Sequence, residues 1–381
     1  MKLLVLLFLF LTVFACANSV SVQENCKTID IDVDKSIEFF YADKLLDTIG
    51  HEIIVLDTAK DSFVRHTNKF FVEDGKLYVW DDEYKTIFIY GSDGRYLSKI
   101  ASQGRARNEY ASIDDFYVAN GRMYILDNLT MKILEYDSMG NYIKALDVSM
   151  FWAERLFVQD SAICLINYSS ETDNGQYHIF KIDEDGELKD KYLKFDRSYQ
   201  HVPDLKAYSK VDDVFSLCMP ANMIYLLDSM SCRPFYHVNF VNKNLPDEYY
   251  EKDLRKLLEE KKADKYITGI DQIQESTRYL FIYFWYDWEY YTAIYDKVND
   301  CVTVCKDILM RSMYKMEWSN YYIINDYVYS IVDASSFKIL VEEIVKKNPM
   351  VKDKYIAALE QLNKKITDYS NPIIIKYKLK S

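Results

Sequence analysis

The chain has 381 residues, 49% hydrophobic and 28% charged, so it can bury a sizeable core, and disorder and collagen are excluded. Its formal net charge of −12 argues against a nucleic-acid partner, because neutralising phosphates needs a basic surface. Only 10 glycines and 6 prolines accompany 34 tyrosines, 20 phenylalanines and 5 tryptophans, a composition suited to packed strands, so the chain reads as mostly β.

Residues Met1 to Ala15 read as a secretory signal, with Lys2 followed by an apolar run from Leu3 to Phe14 that ends in small residues. As a helix this run would rise about 18 Å, well short of a hydrocarbon core of roughly 30 Å, so it is a poor membrane span. Val13-Phe14-Ala15-Cys16 resembles a lipobox, which would make Cys16 the acylated first residue of the mature chain. Ala15-Cys16-Ala17 also fits a cleavage site that would release a soluble protein beginning at Asn18. Residues 16–26 then read as a tether and 27–381 as one domain. Cys26, Cys164, Cys218, Cys232, Cys301 and Cys305 are too scattered for a disulfide framework, and none has metal-ligand spacing. Cys301 and Cys305 share a β-branched run and would lie about 13 Å apart on one strand, too far for a bridge.

A repeat follows. Asp74-Gly75-Lys76-Leu77-Tyr78-Val79-Trp80-Asp81 corresponds position by position to Asn120-Gly121-Arg122-Met123-Tyr124-Ile125-Leu126-Asp127, at an offset of 46. Gly94, Gly140 and Gly186 keep the same offset. Asp-Gly and Asn-Gly supply the positive φ angles of two-residue hairpins, so each unit predicts strand, turn, strand ending in Asp, loop, strand, Gly turn, strand. Four strands at this period suggest a propeller blade, and the unbroken apolar middle strands fit a sheet covered on both faces.

Later units are weaker. Ile224 to Leu227 reads as a second strand and Pro234 to Val238 as a third, followed by Arg278 to Phe284, Tyr290 to Asp296, Tyr321 to Ile324 and Tyr327 to Ser330. Helical apolar spacing predicts two short amphipathic insertions near 246–265 and 350–368. Thr28 to Val33 and Ile53 to Leu56 are expected to complete the last blade and close the ring.

With these units in place, the chain resembles the six-bladed β-propeller lipoproteins of Gram-negative gut anaerobes, which are distantly similar to NHL-repeat propellers. The strands ending in Asp81 and Asp127, the stretch Gly104 to Tyr110, Asn244-Leu245-Pro246, Glu275 to Leu280, Ala293 to Lys297 and the closing Asn371 to Lys380 carry the resemblance, in that order. It implies an all-β, six-bladed propeller and an envelope location, and it supplies no catalytic residues. The family usually has a Gly-Pro-Gly-Glu-like turn where this chain has Ala106-Arg107-Asn108-Glu109.

The chemistry legible in the sequence is sparse. None of the five histidines forms a spaced pair, and neither a nucleophile elbow nor a phosphate loop occurs. The adjacent acids at 81–82, 114–115 and 212–213 should point to opposite faces of a strand, and Asp81 and Asp127 are expected to accept loop N–H bonds. Two surfaces are candidate ligand sites. Arg105, Arg107, Glu109 and Tyr110 lie on an interblade linker and could hold an anionic group; Trp285 and Trp288 form an aromatic hairpin tip suited to sugar or peptide stacking. The expected function is a non-catalytic binding or scaffolding lipoprotein for a protein, peptide or glycan, held at the outer membrane through Cys16 and facing the periplasm. The alternative is a calcium-dependent hydrolase or lyase with its site in the central channel.

Overall fold

Strand pairing in the computed structural model closes six sheets into a ring. It describes residues 26–168, 170–195, 208–246, 265–309, 315–316, 321–347 and 354–380. Blade one contains Lys69–Glu73, Lys76–Asp81, Thr86–Gly91 and Tyr96–Ile100. Blade two contains Asp115–Ala119, Arg122–Asp127, Lys132–Asp137 and Tyr142–Asp147, and blade three Arg155–Gln159, Ala162–Ile166, Tyr177–Ile182 and Leu188–Lys194. Blade four contains Tyr208–Val211, Val214–Met219, Met223–Leu227 and Cys232–Phe240, and blade five Gln272–Glu275, Tyr279–Tyr286, Glu289–Asp296 and Cys301–Leu309. Blade six joins Tyr321–Ile324, Tyr327–Val332 and Ile373–Leu379 to an outermost strand from the amino-terminal end, Leu46–Val55.

The glycine repeat sets the local geometry of the first blades. Asp74 and Gly75 have φ of 48° and 68°, and Asn120 and Gly121 54° and 70°, so both pairs form the type I′ turn that matches strand twist. Gly94, at φ +85°, turns where Val55 of blade six passes; a Cβ there would lie 2.2 Å from the Val55 carbonyl oxygen. Beside the turns at Gly94, Gly140 and Gly186 the pairing of the third and fourth strands shifts register, at Ile89/Tyr90, Glu135/Tyr136 and Lys181/Ile182 of the third strand, again at the offset of 46.

The core is divided among the seams. Tyr78, Ile87 and Ile89 of blade one pack with Phe116, Ile125 and Leu134 of blade two. Blade three sits in one cluster with Leu126 of blade two and Phe215 of blade four. Blades five and six meet through Tyr283, Ile294, Tyr321 and Val328, and blades six and one through Tyr329, Ile374, Phe70 and Phe88.

In blade four, Ile224 to Leu227 belongs to the third strand and Pro234 to Val238 to the fourth; the second is Val214–Met219, entered through a turn at Asp212 that lacks glycine. Of the amino-terminal segments, Ile53 does pair in blade six, but Lys27–Ile31 adds in parallel to Cys232–Phe240 of blade four. There Ile29, Ile31 and Val33 find an apolar seam with Val238, Phe240 and Tyr295. A further parallel strand, Ile37–Tyr41, adds to Cys301–Leu309 of blade five, so residues 27–55 form a strap across the rims of three blades.

The insertion near 246–265 lies outside the described residues, apart from its ends. Within 350–368 there is one helix, α2 (Lys354–Asn363), and it pairs with a helix not anticipated, α1 (Ala334–Lys347). Asp333 caps α1 by accepting from the Ser336 N–H at 2.9 Å, and Phe337, Leu340, Val341 and Ile344 face Leu359, Ile373 and Ile375.

Ring closure is tied by Asn371, a fully buried side chain. Its Nδ2 donates to the carbonyls of Asp57 at 2.7 Å and Ser62 at 2.6 Å, while its Oδ1 accepts from the Val64 N–H at 2.8 Å. The axis is blocked by a second buried polar group. Lys69 and Asp115 open the innermost strands of blades one and two, and the Lys69 Nζ lies 2.6 Å from the Asp115 carboxylate and 2.7 Å from the Phe116 carbonyl. Burial pulls the Lys69 ammonium below its ordinary pKa, and Asp115 opposes that shift. Tyr208 completes the plug by donating to the Leu156 carbonyl at 2.9 Å, flanked by Phe157 and Phe215, whose rings stack at 4.2 Å.

Asn371→Ala leaves the buried Val64 N–H and two carbonyls without this partner and is expected to cost about 2–4 kcal/mol in urea unfolding. Lys69→Met, which strands a buried carboxylate, is expected to cost about 3–5 kcal/mol, whereas Lys69→Met/Asp115→Leu should recover most of that loss in the same measurement.

Candidate functional site

Strand direction divides the loops between two mouths. Each innermost strand runs from the mouth bearing the interblade linkers and second-to-third-strand loops, the linker face, to the mouth bearing the tight hairpins, the turn face. On the linker face, the Asp81 carboxylate accepts from the Arg65 N–H at 2.6 Å and the Tyr84 N–H at 2.9 Å. One repeat later, Asp127 accepts from the Ala111 N–H at 2.7 Å and the Thr130 hydroxyl at 2.7 Å. Burial raises the Asp127 pKa, but these bonds outweigh it and hold the carboxyl below its ordinary value. Both aspartates therefore clasp a linker to a loop, as their position in the repeat predicted. Their neighbours diverge: Asp82 turns to His66 at 2.6 Å, and Asp114 accepts from the Asn128 N–H at 2.8 Å while Asp115 enters the channel plug.

The Arg105 loop is built around its own backbone. The Gly104 N–H donates to the Tyr110 carbonyl at 2.9 Å, the Tyr110 N–H to the Ser102 carbonyl at 3.1 Å, and the Ala106 N–H to the Glu109 carboxylate at 2.9 Å. A Cβ at Gly104 would lie 1.8 Å from that carboxylate, so the glycine makes room for it. Tyr110 is fully buried, with its hydroxyl donating to the Lys85 carbonyl at 2.5 Å. Glu109 and Tyr110 thus shape the loop, while Arg105 and Arg107 are exposed on it.

The aromatic tip is a raised hairpin. Tyr279–Tyr286 and Glu289–Asp296 have eight residues each, against six in the corresponding strands of blades one and two, and turn through Asp287 and Trp288 at φ 49° and 63°. Trp288 is 73% exposed and Trp285 46%, the latter edge-on to Tyr290 at 4.7 Å. The tip and the Arg105 loop share the linker face but lie on different sides of the axis, so they form no common pocket. Five exposed residues that the sequence reading did not single out share this face: Tyr84, Leu129, Met150, Trp152 and Tyr369. The hairpins of the turn face expose Met139, Met230 and Val298.

Inside the ring a cavity of about 140 Å³ lies between the inner strands, bordered by Phe71, Glu73, Tyr117, Lys210, Gln274 and Tyr322. Burial pushes the Glu73 carboxyl above its ordinary pKa. Calcium takes six to eight oxygens, and the donors here do not fit it. Asp115 is held by Lys69 and the Leu156 N–H, and Glu275 by Lys297 and Ser216, leaving Glu73 as the carboxylate in the cavity wall. Among the described residues, no group of three or more His, Cys, Asp or Glu side chains converges on a metal position. The six cysteines there are free thiols, and no described helix is long and apolar enough to cross a membrane.

The fold recurs in solved structures. A Bacteroides fragilis NCTC 9343 protein, described as a candidate for export, superposes with a TM-score of 0.71 at 17% identity, covering 93% of this chain and 100% of its own. A DUF4221-family protein of Bacteroides vulgatus ATCC 8482 gives a TM-score of 0.48 at 11% identity over 87% of this chain and 96% of its own. BamB of Moraxella catarrhalis gives 0.39 at 11% identity, over 74% and 71%. No curated protein matches the chain. The profile of DUF4934, a domain of unknown function, matches residues 26–378, and the chain belongs to that family.

Proposed function

We propose that this propeller is a non-catalytic binding module of the cell envelope, anchored through an acylated Cys16, which docks a partner protein on its linker face. The observation that carries the reading is the distribution of exposed apolar side chains. Tyr84, Leu129, Trp152, Trp285, Trp288 and Tyr369 come from loops around the ring and stand on one mouth. Exposed aromatic residues spread over a broad face suit a macromolecular surface of about 800 Å² per partner better than a small ligand. The channel supports the same choice, because the Lys69–Asp115 pair and the Tyr208, Phe157 and Phe215 rings block it beside a small cavity. The anchor rests on Val13-Phe14-Ala15-Cys16 at the end of the signal.

Photocrosslinking with p-benzoylphenylalanine in the native envelope tests the docking face. Positions 84, 129 and 288 are expected to give a protein adduct, whereas 139, 230 and 298 on the turn face are not; adducts from the turn face alone would overturn the reading. Trp288→Ala is expected to weaken the adduct formed at 129 by tenfold or more, the usual reach of a central aromatic anchor. Loss of glycan binding in that variant, with no protein adduct at any position, would instead identify a sugar receptor.

A further inference from the structure

We infer that the outer edge of blade five, the strap strand Ile37–Tyr41, is a membrane-contact strip that lays the propeller rim against the bilayer; this rests on the Cys16 anchor. The strand is the last in its sheet, so one edge of its backbone has no partner strand. Phe40 turns inward to Leu45 and Ile308, while Ile37, Phe39 and Tyr41 are 41%, 47% and 48% exposed. Alternate residues of one strand thus present an apolar row about 13 Å long, and the one charged residue of the strand, Glu38, lies between them and pairs with Lys306 at 3.6 Å.

Chain length selects the occupant. The described chain begins at Cys26, beside Lys27 on the rim of blade four, and ten residues separate Lys27 from Cys16. Fully extended they span about 35 Å, so an acylated Cys16 keeps the rim of blades four and five within that distance of the headgroups. Val33–Lys35 is a single 3-10 turn between the two strap strands, which fixes the apolar row to the same rim. Aromatic and branched apolar side chains are those that settle at a bilayer interface.

Charge plays little part. Lys35 pairs with Asp32 at 2.8 Å, Lys27 with Asp300 at 2.7 Å, Lys243 with Asp34 at 3.6 Å and Lys306 with Glu289 at 2.8 Å, so these four lysines beside the strap are already neutralised by carboxylates and offer little free charge to anionic lipid. The contact is therefore with zwitterionic headgroups as much as with anionic ones, and it is insensitive to salt. With the rim on the membrane, the linker face stands upright and accessible from the side.

The test separates this contact from the anchor. A chain starting at residue 17 with an amino-terminal hexahistidine tag is tethered to phosphatidylcholine vesicles carrying nickel-chelating lipid, so acylation is not required. In a Cys26→Ser/Cys301→Ser background, an environment-sensitive dye is attached through Phe39→Cys, Leu129→Cys or Met230→Cys. Brominated lipid is expected to quench the dye at 39 by half or more, equally at 50 mM and 500 mM salt, and to leave 129 and 230 unquenched. Equal quenching at all three positions, or none at 39 while the protein co-floats with vesicles, would overturn the proposal. So would a dimer in sedimentation that Ile37→Ser/Phe39→Ser/Tyr41→Ser dissolves, because the row would then cover a second copy. The mass of the mature amino-terminus tests the anchor itself: an unacylated chain would remove the anchor while leaving the vesicle result to stand or fall alone.

Discussion

Covering both faces of every sheet is the constraint on which this structure depends. Strands such as Lys76–Asp81 and Arg122–Asp127 are buried along nearly their whole length, so neither blade could persist with one side in water. A ring meets that demand without an end, provided that its last sheet is completed. Leu46–Val55 completes it from the opposite terminus, and Asn371 fixes the joint by bonding to three backbone groups of the segment leading into blade one. The closing stretch beginning at Asn371 therefore carries structure before it carries any function.

How much was legible depended on where the repeat used glycine. Blades one to three were readable because Gly94, Gly140 and Gly186 mark the same turn, each with φ between 83° and 88°. Blade three still makes its first hairpin with Asp160 and Ser161, and blade six with Asn325 and Asp326, all at positive φ without glycine, and such turns leave little trace in sequence. The strand shift in blade four has the same origin. Helix α1 did leave a signal, Asp333 followed by Phe337, Leu340, Val341 and Ile344, but it begins directly after a strand whose β-branched run masks the change of period.

The candidate site was legible in part for a different reason. Trp285 and Trp288 are exposed because a hairpin lengthened by two residues per strand lifts them clear of their neighbours. Tyr110, with the same polar aromatic character, is buried, because only the fold places the Lys85 carbonyl within its reach. Residue type alone could not separate the two cases. The Lys69–Asp115 pair was in principle readable, since both residues hold the same position in successive repeats; that equivalence becomes contact only when neighbouring inner strands line one narrow axis.

The two mouths divide structure from exposure, and hydrogen bonding explains the division. The first hairpins of blades one and two on the turn face, Asp74-Gly75 and Asn120-Gly121, are two-residue type I′ turns of small residues, which leave little side chain to present. The linkers into blades one and two and the second-to-third-strand loops of those blades are longer, and Asp81 and Asp127 hold them by bonding their amides from below. Such clasps hold a loop's backbone while leaving its outward side chains unconstrained, so Tyr84 and Leu129 can stand in water next to buried carboxylates. A rigid loop carrying exposed apolar groups loses little conformational entropy on docking, which is the property that a binding face requires.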